Sequence, residues 1–330
     1  MTYLRHRRVL GCRILAATLV TATTACGVPA GQPAGACQAD NRPLVIATGN
    51  ATGVYAALGD GLAAQLTATT PLKATAVQTG STLRNVQQLS SGEYDVAFAQ
   101  SDSAADAVRG QGVFAEPRKL RALARIYSDY VQVVVTKASG VRSVADLRGK
   151  RISTGSPSSG TELIAGRLLT AAGLDPKRDV TAQSLDLAAS VAAIRAGSID
   201  GFVWSGGLPT SGVADLFASS GGQLDLVDTS TLLPALRRVN TVYTAGTIPA
   251  ATYGTAADIP AIGIPNLLVV RDDFPDNDAC AITKVLFEKK DDLVKAVPAA
   301  SGLDPERASD TTPLELNAGS RAALGQLANG

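Results

Sequence analysis

Small polar side chains and glycines cluster after several strand-like runs of this sequence, and their chemistry is that of non-covalent binding. Hydroxyls, glutamine amides and backbone N–H groups donate hydrogen bonds, and donors at the start of a helix favour an anion. Tyr55 and Trp204 add aromatic walls. The sequence therefore predicts an anion-binding cleft. Its predicted lining residues are Thr48, Gly49, Tyr55, Gln78, Thr79, Gly80, Ser81, Gln100, Ser101, Asp102, Ser156, Ser159, Gly160, Thr161, Trp204 and Ser205.

Helix capping is the structural alternative for several of these polar groups. Ser81, Thr82, Ser101 and Asp102 each stand where a side chain can cap the following helix. Ser159 and Glu162 have the spacing of a capping box, and we assign that role to Glu162. A serine-rich helix start that also offers N–H donors is compatible with both helix capping and anion binding.

Catalytic groups are scarce in the sequence. The single histidine, His6, lies in a segment predicted to be removed, which excludes Ser-His-Asp and Cys-His catalysis and most zinc chemistry. An enzyme would have to use groups without a histidine, metal cluster or evident nucleophile beside them. Those groups are Asp60, Asp102, Glu162 and Lys150. We therefore expect a binding protein with no catalytic residue, metal or cofactor.

The charge balance argues against a polyanionic partner. Lys plus Arg number 30 and Asp plus Glu number 29, so electrostatics gives no reason to expect nucleic-acid binding. Hydrophobic residues make up 45% of the chain, which is ample for two cores. We expect a folded, monomeric protein.

The N-terminus has the pattern of a secretory signal. Residues 1–13 are basic without an acid, and the apolar run that follows is too short to cross a bilayer. Thr23-Thr24-Ala25-Cys26-Gly27 resembles a bacterial lipobox, with Thr23 in place of the usual aliphatic residue. We predict a lipoprotein signal peptide over 1–25, lipidation of Cys26 and anchoring to the outer face of the cell membrane. Ordinary secretion is the alternative, and both Sec and twin-arginine export remain open.

The segment after the signal peptide predicts a tether. Residues 26–42 are rich in Gly, Pro, Ala and Gln, which is typical of a flexible linker. Cys37 and Cys280 would remain in an oxidising compartment. A disulfide between them and two separate buried thiols are both open.

A repeated unit positions the predicted binding residues. Residues 46–49 resemble 152–155, and residues 89–98 resemble 194–203, so about a hundred residues separate the copies. Each copy has buried strands alternating with helices, which is typical of a parallel α/β sheet. Ligands of such sheets bind beyond the carboxyl ends of the strands. The sequence therefore predicts two similar α/β lobes that face each other.

Two long apolar runs predict the connections between these lobes. The run at 130–135 would leave the first lobe and the run at 262–270 would return to it, while the pattern at 280–297 predicts a helix on lobe 1. Lobe 2 is then an insertion. The predicted boundaries are 43–131 and 266–330 for lobe 1 and 132–265 for lobe 2.

The motifs, in this order, resemble the TAXI family of solute receptors of tripartite ATP-independent periplasmic (TRAP) transporters. The resemblance covers about residues 44–316. It is carried by motifs that include Ile46-Ala47-Thr48-Gly49, Gln78-Thr79-Gly80, Gln100-Ser101-Asp102 and Ser159-Gly160-Thr161-Glu162. It implies the type II periplasmic-binding-protein fold, with two crossover strands, and no catalysis.

The resemblance also implies partners. A small organic anion, such as a dicarboxylate or a glutamate-like solute, would be captured in the cleft between the lobes and delivered to the sodium-driven TRAP membrane permease subunits. A sensor that presents the same closed form to a membrane signalling partner is the alternative.

Overall fold

The computed structural model describes residues 37–51, 53–80 and 82–329. Within these ranges, ten strands form one mixed sheet with helices on both faces. The predicted signal peptide, Cys26 and tether residues 26–36 lie outside the described residues. The strands are β1 (Pro43–Ala47), β2 (Lys73–Val77), β3 (Val96–Gln100), β4 (Leu120–Thr136), β5 (Arg151–Ser153), β6 (Thr181–Gln183), β7 (Gly201–Gly206), β8 (Leu224–Val227), β9 (Thr244–Ile248) and β10 (Ile259–Arg271).

Helices connect most of the strands. The α-helices are α1 (Val54–Thr69), α2 (Thr82–Ser90), α3 (Ser101–Arg109), α4 (Gly160–Ala171), α5 (Leu187–Arg195), α6 (Ser211–Ser219), α7 (Leu233–Val239), α8 (Ala250–Tyr253), α9 (Asp276–Glu288), α10 (Lys290–Ala296) and α11 (Ala318–Asn329). Short 3-10 helices cover Lys137–Ser139, Val144–Leu147, Ser230–Leu232 and Pro298–Gly302.

Two long antiparallel strands, β4 and β10, run through the middle of the sheet and join its two halves. The strand order is β2-β1-β3-β10-β4-β7-β5-β6, with β8 also on β4 and β9 also on β10. In each half, one parallel strand lies between two others: β1 between β2 and β3, and β5 between β6 and β7. The repeated unit, the two-lobed α/β fold and the two crossover strands are therefore confirmed.

Side chains that alternate along the crossover strands enter cores on both faces of the sheet. On β4, Val133 packs into one cluster of lobe 2 and its neighbour Val134 packs into the other. On β10, Leu268 and Leu267 divide between two clusters of lobe 1 in the same way. A strand buried on both faces reads as a continuous apolar run, which is the pattern that predicted it.

Strands β4 and β10 pass from one half of the sheet to the other near Tyr130 and Pro265. Strand β10 pairs with β9 up to Gly263 and with β3 from Asn266 onwards, and its register against β4 shifts after Pro265. Hydrogen bonding of the sheet continues from one half to the other, so no break in the sheet marks where one lobe ends. The lobe boundaries at 131/132 and 265/266 therefore stay a prediction.

The C-terminal pattern forms two helices, so the prediction of a single helix over 280–297 is wrong. Helix α9 ends at Glu288 and α10 begins at Lys290, with Lys289 between them at φ −100° and ψ 17°. The break lets the buried Leu293 of α10 approach α1, where a Cβ on Gly61 would lie 3.0 Å from its methyl group. Lobe 1 thereby gains a second layer over α1.

The first described residues are fixed on α9. Cys37 and Cys280 form a disulfide with a Cα–Cα distance of 5.1 Å, so the disulfide is the alternative that the structure contains. The fully buried Asp278 accepts hydrogen bonds from the Asp40 amide at 2.8 Å and from Arg42 Nε at 2.7 Å. Residues 37–42, predicted as the end of a flexible tether, are thus bound to the domain in this structure.

Removing the disulfide tests this attachment. The double substitution Cys37→Ser and Cys280→Ser should lower the free energy of unfolding by about 2–5 kcal/mol, because the unfolded chain loses a crosslink between its ends. Urea unfolding followed by circular dichroism measures the change. Wild-type protein under a reducing agent should match the variant, and an unchanged midpoint in both would contradict the expectation.

Candidate functional site

A cavity lies where the carboxyl ends of strands from both lobes meet. Strand β3 contributes Gln100, and β7 contributes Trp204 and Ser205. The N-termini of two long helices, α1 and α4, reach the same cavity through Val54 and Gly160. Residues of both lobes therefore line one site.

Most of the predicted ligand residues line this cavity, and their role as ligand contacts stays a prediction. Those that line it are Gly49, Tyr55, Gly80, Gln100, Ser156, Ser159, Gly160, Thr161, Trp204 and Ser205. Ser81 lies outside the described residues. The predicted residues that do not line it are Thr48, Gln78, Thr79, Ser101 and Asp102.

The polar residues at the ends of β1 and β2 bind each other rather than the cavity. Thr48 Oγ1 donates to the carbonyl of Val77 at 3.0 Å, and Thr79 Oγ1 donates to the carbonyl of Thr48 at 2.9 Å. Asn85 Nδ2, which the sequence did not single out, donates to the carbonyls of Thr48 at 2.8 Å and Phe98 at 2.9 Å. These bonds join three strand ends to α2 and so position the loops that carry Gly49 and Gly80.

The start of α4 is fixed at the cavity by side-chain hydrogen bonds. Ser159 Oγ accepts from the Glu162 amide at 3.0 Å, and Glu162 reaches back to the Ser158 amide at 2.7 Å. The return bond thus lies one residue earlier than in a standard capping box. Thr161 Oγ1 accepts from the Ser205 amide at 3.2 Å, which ties the helix to β7. The positive end of the helix dipole is held at the cavity.

Three tyrosine-centred contacts form the wall of lobe 1. The Tyr55 hydroxyl donates a short hydrogen bond to Asn266 Oδ1. Its ring lies 5.1 Å from Phe98 and 6.3 Å from Tyr127, measured between centroids. Burial raises the pKa of Tyr55 and that of Tyr127 well above the ordinary value, so both hydroxyls stay protonated at neutral pH.

The centre of the site is a buried polar group shared by the two lobes. Gln100 Nε2 donates to Asp129 Oδ2 at 2.7 Å and to Ser205 Oγ at 2.7 Å. Ser205 belongs to β7 in the second half of the sheet, so one amide links both halves. Sequence reasoning missed Asp129; the signal was an acid in the middle of the apolar run that forms β4.

Asp129 lines the cavity as a carboxylate that no cation neutralises. Burial raises the pKa of Asp129 to about 6; the hydrogen bond from the Gln100 amide and the nearby Asn266 amide oppose the rise, and the charge of Asp102 adds to it. Asp129 is 4% exposed, and among the residues described as lining the cavity there is no lysine or arginine. A buried acid without a cation is a costly arrangement.

Asp102 has a different role from the predicted one. Its Oδ2 accepts from the Tyr243 hydroxyl at 2.7 Å and from Arg167 Nη1 at 3.3 Å. Arg167 also binds Asp106, and Asn240 Nδ2 donates to the Asp102 carbonyl at 3.2 Å. Burial raises the pKa of Asp102, while Arg167 lowers it. Asp102 is therefore engaged with lobe 2 residues outside the cavity, and we call this cluster the Arg167 latch.

Comparison with known proteins identifies the family. Residues 46–324 match the NMT1-like family, which is most of the chain. The chain belongs to the NMT1-like family. Among the described residues, none of the helices combines the length and hydropathy needed to span a membrane.

Solved structures of similar proteins share the fold of this NMT1-like protein. A protein of Bordetella bronchiseptica RB50 is 19% identical, with 87% of this chain and 98% of that chain covered and a TM-score of 0.56. PhnD1 of Prochlorococcus marinus, in complex with methylphosphonate, is 13% identical over 88% and 98% of the chains, with a TM-score of 0.54. A binding protein component of an ABC phosphonate transporter from Pseudomonas aeruginosa is 12% identical over 80% of each chain, at 0.52. At these identities the likeness shows the periplasmic-binding-protein fold and nothing finer.

Substituting Asp129 tests how far its unpaired charge lowers the free energy of unfolding. The folded protein holds the Asp129 proton more tightly than the unfolded chain, so wild-type stability falls as pH rises from about 4 through about 6. A pKa raised by about two units corresponds to about 3 kcal/mol. Asp129→Asn should therefore be more stable by up to about 3 kcal/mol at alkaline pH, and the gap should narrow towards pH 4. Urea unfolding across that range measures it; a less stable variant at high pH would refute this reasoning.

Breaking the Arg167 latch should be costly. Arg167→Gln leaves two buried carboxylates without their cation, and we expect a loss of about 3 kcal/mol in unfolding free energy. Arg178→Gln is the matched control, because its pair with Asp175 is exposed and should contribute less than about 1 kcal/mol. Urea unfolding near neutral pH compares them. Equal losses in both variants would show that the latch does not stabilise the fold.

Proposed function

We propose that the protein is an extracytoplasmic solute-binding protein whose two lobes close over a small organic acid. The observation that carries the proposal is the cavity to which both lobes contribute beside the crossover strands. A cleft of this kind closes by a hinge motion of two lobes around a ligand. The role is capture and delivery of a solute rather than catalysis.

The start of α4 supports an acidic ligand group. Backbone N–H groups in the first turn of a helix have no intrahelical partner, and the dipole adds positive potential there. Helix α1 presents a second such terminus at Val54, and its N-cap, Gly53, has no side chain that could accept a hydrogen bond from it. A carboxylate, sulfonate or phosphonate group bound between these termini would satisfy those donors.

The proposed transport partner is a TRAP permease. This step rests on the resemblance of the sequence motifs to the TAXI receptors, and the lipobox at Cys26 supports attachment to the outer face of the cell membrane. Uptake by membrane vesicles of the organism that encodes the protein is the test. Uptake that needs both the purified protein and a sodium gradient would support the TRAP assignment. Dependence on ATP instead would point to an ABC transporter, the type to which the Pseudomonas aeruginosa relative belongs.

A ligand screen tests capture itself. Thermal unfolding should be followed with carboxylates, sulfonates, phosphonates and amino acids at millimolar concentration. A ligand at about 100 times its dissociation constant adds about 2.7 kcal/mol to the stability of the folded state. Stabilisation by at least one acid is expected, and a screen in which none stabilises would count against the proposal.

Substituting one glycine, Gly160, tests more directly whether the lobes close on the ligand. A Cβ on Gly160 would overlap Gln100 Oε1 of the opposite lobe, so Gly160→Ala should prevent the observed approach of α4 to β3. We expect at least a tenfold loss of affinity in calorimetry with the best ligand of the screen. Gly166→Ala on the same helix is the matched control, because its Cβ would meet nothing within 4 Å. Unchanged affinity in Gly160→Ala would contradict closure as the binding event.

A further inference from the structure

The cavity contains a group whose charge does not suit a purely anionic ligand. Asp129 is its one charged residue among those described as lining it, and Asp129 Oδ1 accepts no hydrogen bond. Gln100 Oε1 is also buried without a hydrogen-bond partner, but it packs against Gly160, where a Cβ would overlap it. Asn266 Nδ2 lies near Asp129 but makes no hydrogen bond of normal geometry. Unsatisfied buried acceptors are costly, so a partner for them is to be expected.

The other oxygen of Asp129 is already used. Its Oδ2 binds Gln100 Nε2, and the same nitrogen binds Ser205 Oγ, so this amide orients both unsatisfied acceptors. A carboxylate oxygen without a partner, beside a cavity without a lysine or arginine among its described lining residues, matches an N–H donor that carries a positive charge. A protonated amine has up to three donors and a positive charge.

Aromatic rings surround the same space. Tyr55, Tyr127 and Trp204 all line the cavity with Asp129. The faces of such rings attract cations, most strongly when water is excluded. The Trp204 indole nitrogen is itself occupied, since it donates to Thr210 Oγ1 at 3.1 Å, so the ring acts as a wall rather than as a donor.

We propose that the ligand carries a protonated amine that binds Asp129 Oδ1, so that the site selects amino acids and related zwitterions over dicarboxylates. This inference rests on the proposed function, because the acidic end of the ligand is placed at the helix N-termini. It assigns Asp129 as the residue that determines specificity, and Gln100 as the residue that positions it.

Matched ligand pairs test the selectivity by calorimetry. The pairs are L-glutamate with glutarate and 2-aminoethylphosphonate with ethylphosphonate, which differ only in the amine, and butylamine carries an amine without an acid. At least one amine-bearing acid should bind tenfold or more tightly than its partner. Glutarate and ethylphosphonate each binding as tightly as its amine-bearing partner would overturn the inference and leave the proposed function standing. Butylamine binding alone would support the amine site and refute the acid site, and no binding by any probe would refute both.

Asp129→Asn is the decisive variant, because it keeps the shape of the side chain and removes the charge. The affinity for the amine-bearing acid should fall at least tenfold, to that of its partner. The affinity for the partner acid should be unchanged or higher, which also shows that the cavity remains folded. An amine-bearing acid that binds the variant as well as the wild type would overturn the inference.

The pH dependence gives a second readout. Protonation of Asp129 removes the charge that the amine needs, so affinity for the amine-bearing acid should rise with pH through about 6 and then level off. The other titratable groups that influence Asp129 are Tyr55, Tyr127 and Asp102. The tyrosines stay protonated, and Arg167 faces Asp102. The dependence should persist in Asp102→Asn and disappear in Asp129→Asn; the opposite pattern would overturn the inference.

Discussion

One glutamine amide holds the two halves of this protein at their closest approach. Gln100 Nε2 bridges Asp129 on a crossover strand and Ser205 on the second half of the sheet. It stands at the end of β3, where the chain turns directly into α3, and this position fixes its direction. The close contact with Gly160 leaves no room for a side chain there. The size of the cavity and the arrangement of its acceptors follow from this contact.

Two buried acids near the cleft show how the same residue type has opposite consequences in different surroundings. Asp102 has Arg167, Tyr243 and a backbone amide as partners, so its charge is compensated and it joins the lobes. Asp129 has amides but no cation, so its charge remains available within the cavity. The first arrangement joins the two lobes, and the second leaves the site that we propose a ligand completes.

The fold was predictable from the sequence because its signals are local and repeated. Buried strands read as apolar runs, and the similarity of 46–49 to 152–155 predicted two related lobes. The position of the cavity was predictable from the loops that follow the strands, since the carboxyl ends of parallel strands lie at the same edge of a sheet. The role of each residue in these loops was not predictable. Thr48 and Thr79 have the same residue types as residues that line the cavity, but their hydroxyls donate to neighbouring backbone carbonyls. Asp129 and Arg167 have partners distant in the chain, and no local pattern contains that information.

The contact between the lobes includes polar groups at Gln100 and at the Arg167 latch, which suits the opening and closing that we propose. An apolar interface would stabilise the closed arrangement in proportion to the apolar area that it buries, and would hold the lobes together. The Arg167 latch instead buries charges whose attraction is largely offset by the loss of hydration. If the lobes open and close as we propose, a ligand shifts the balance by its preference for the closed form. A carboxylate left unpaired in the closed cavity makes that preference larger for a ligand that neutralises it, because the empty closed form is the one that bears the cost.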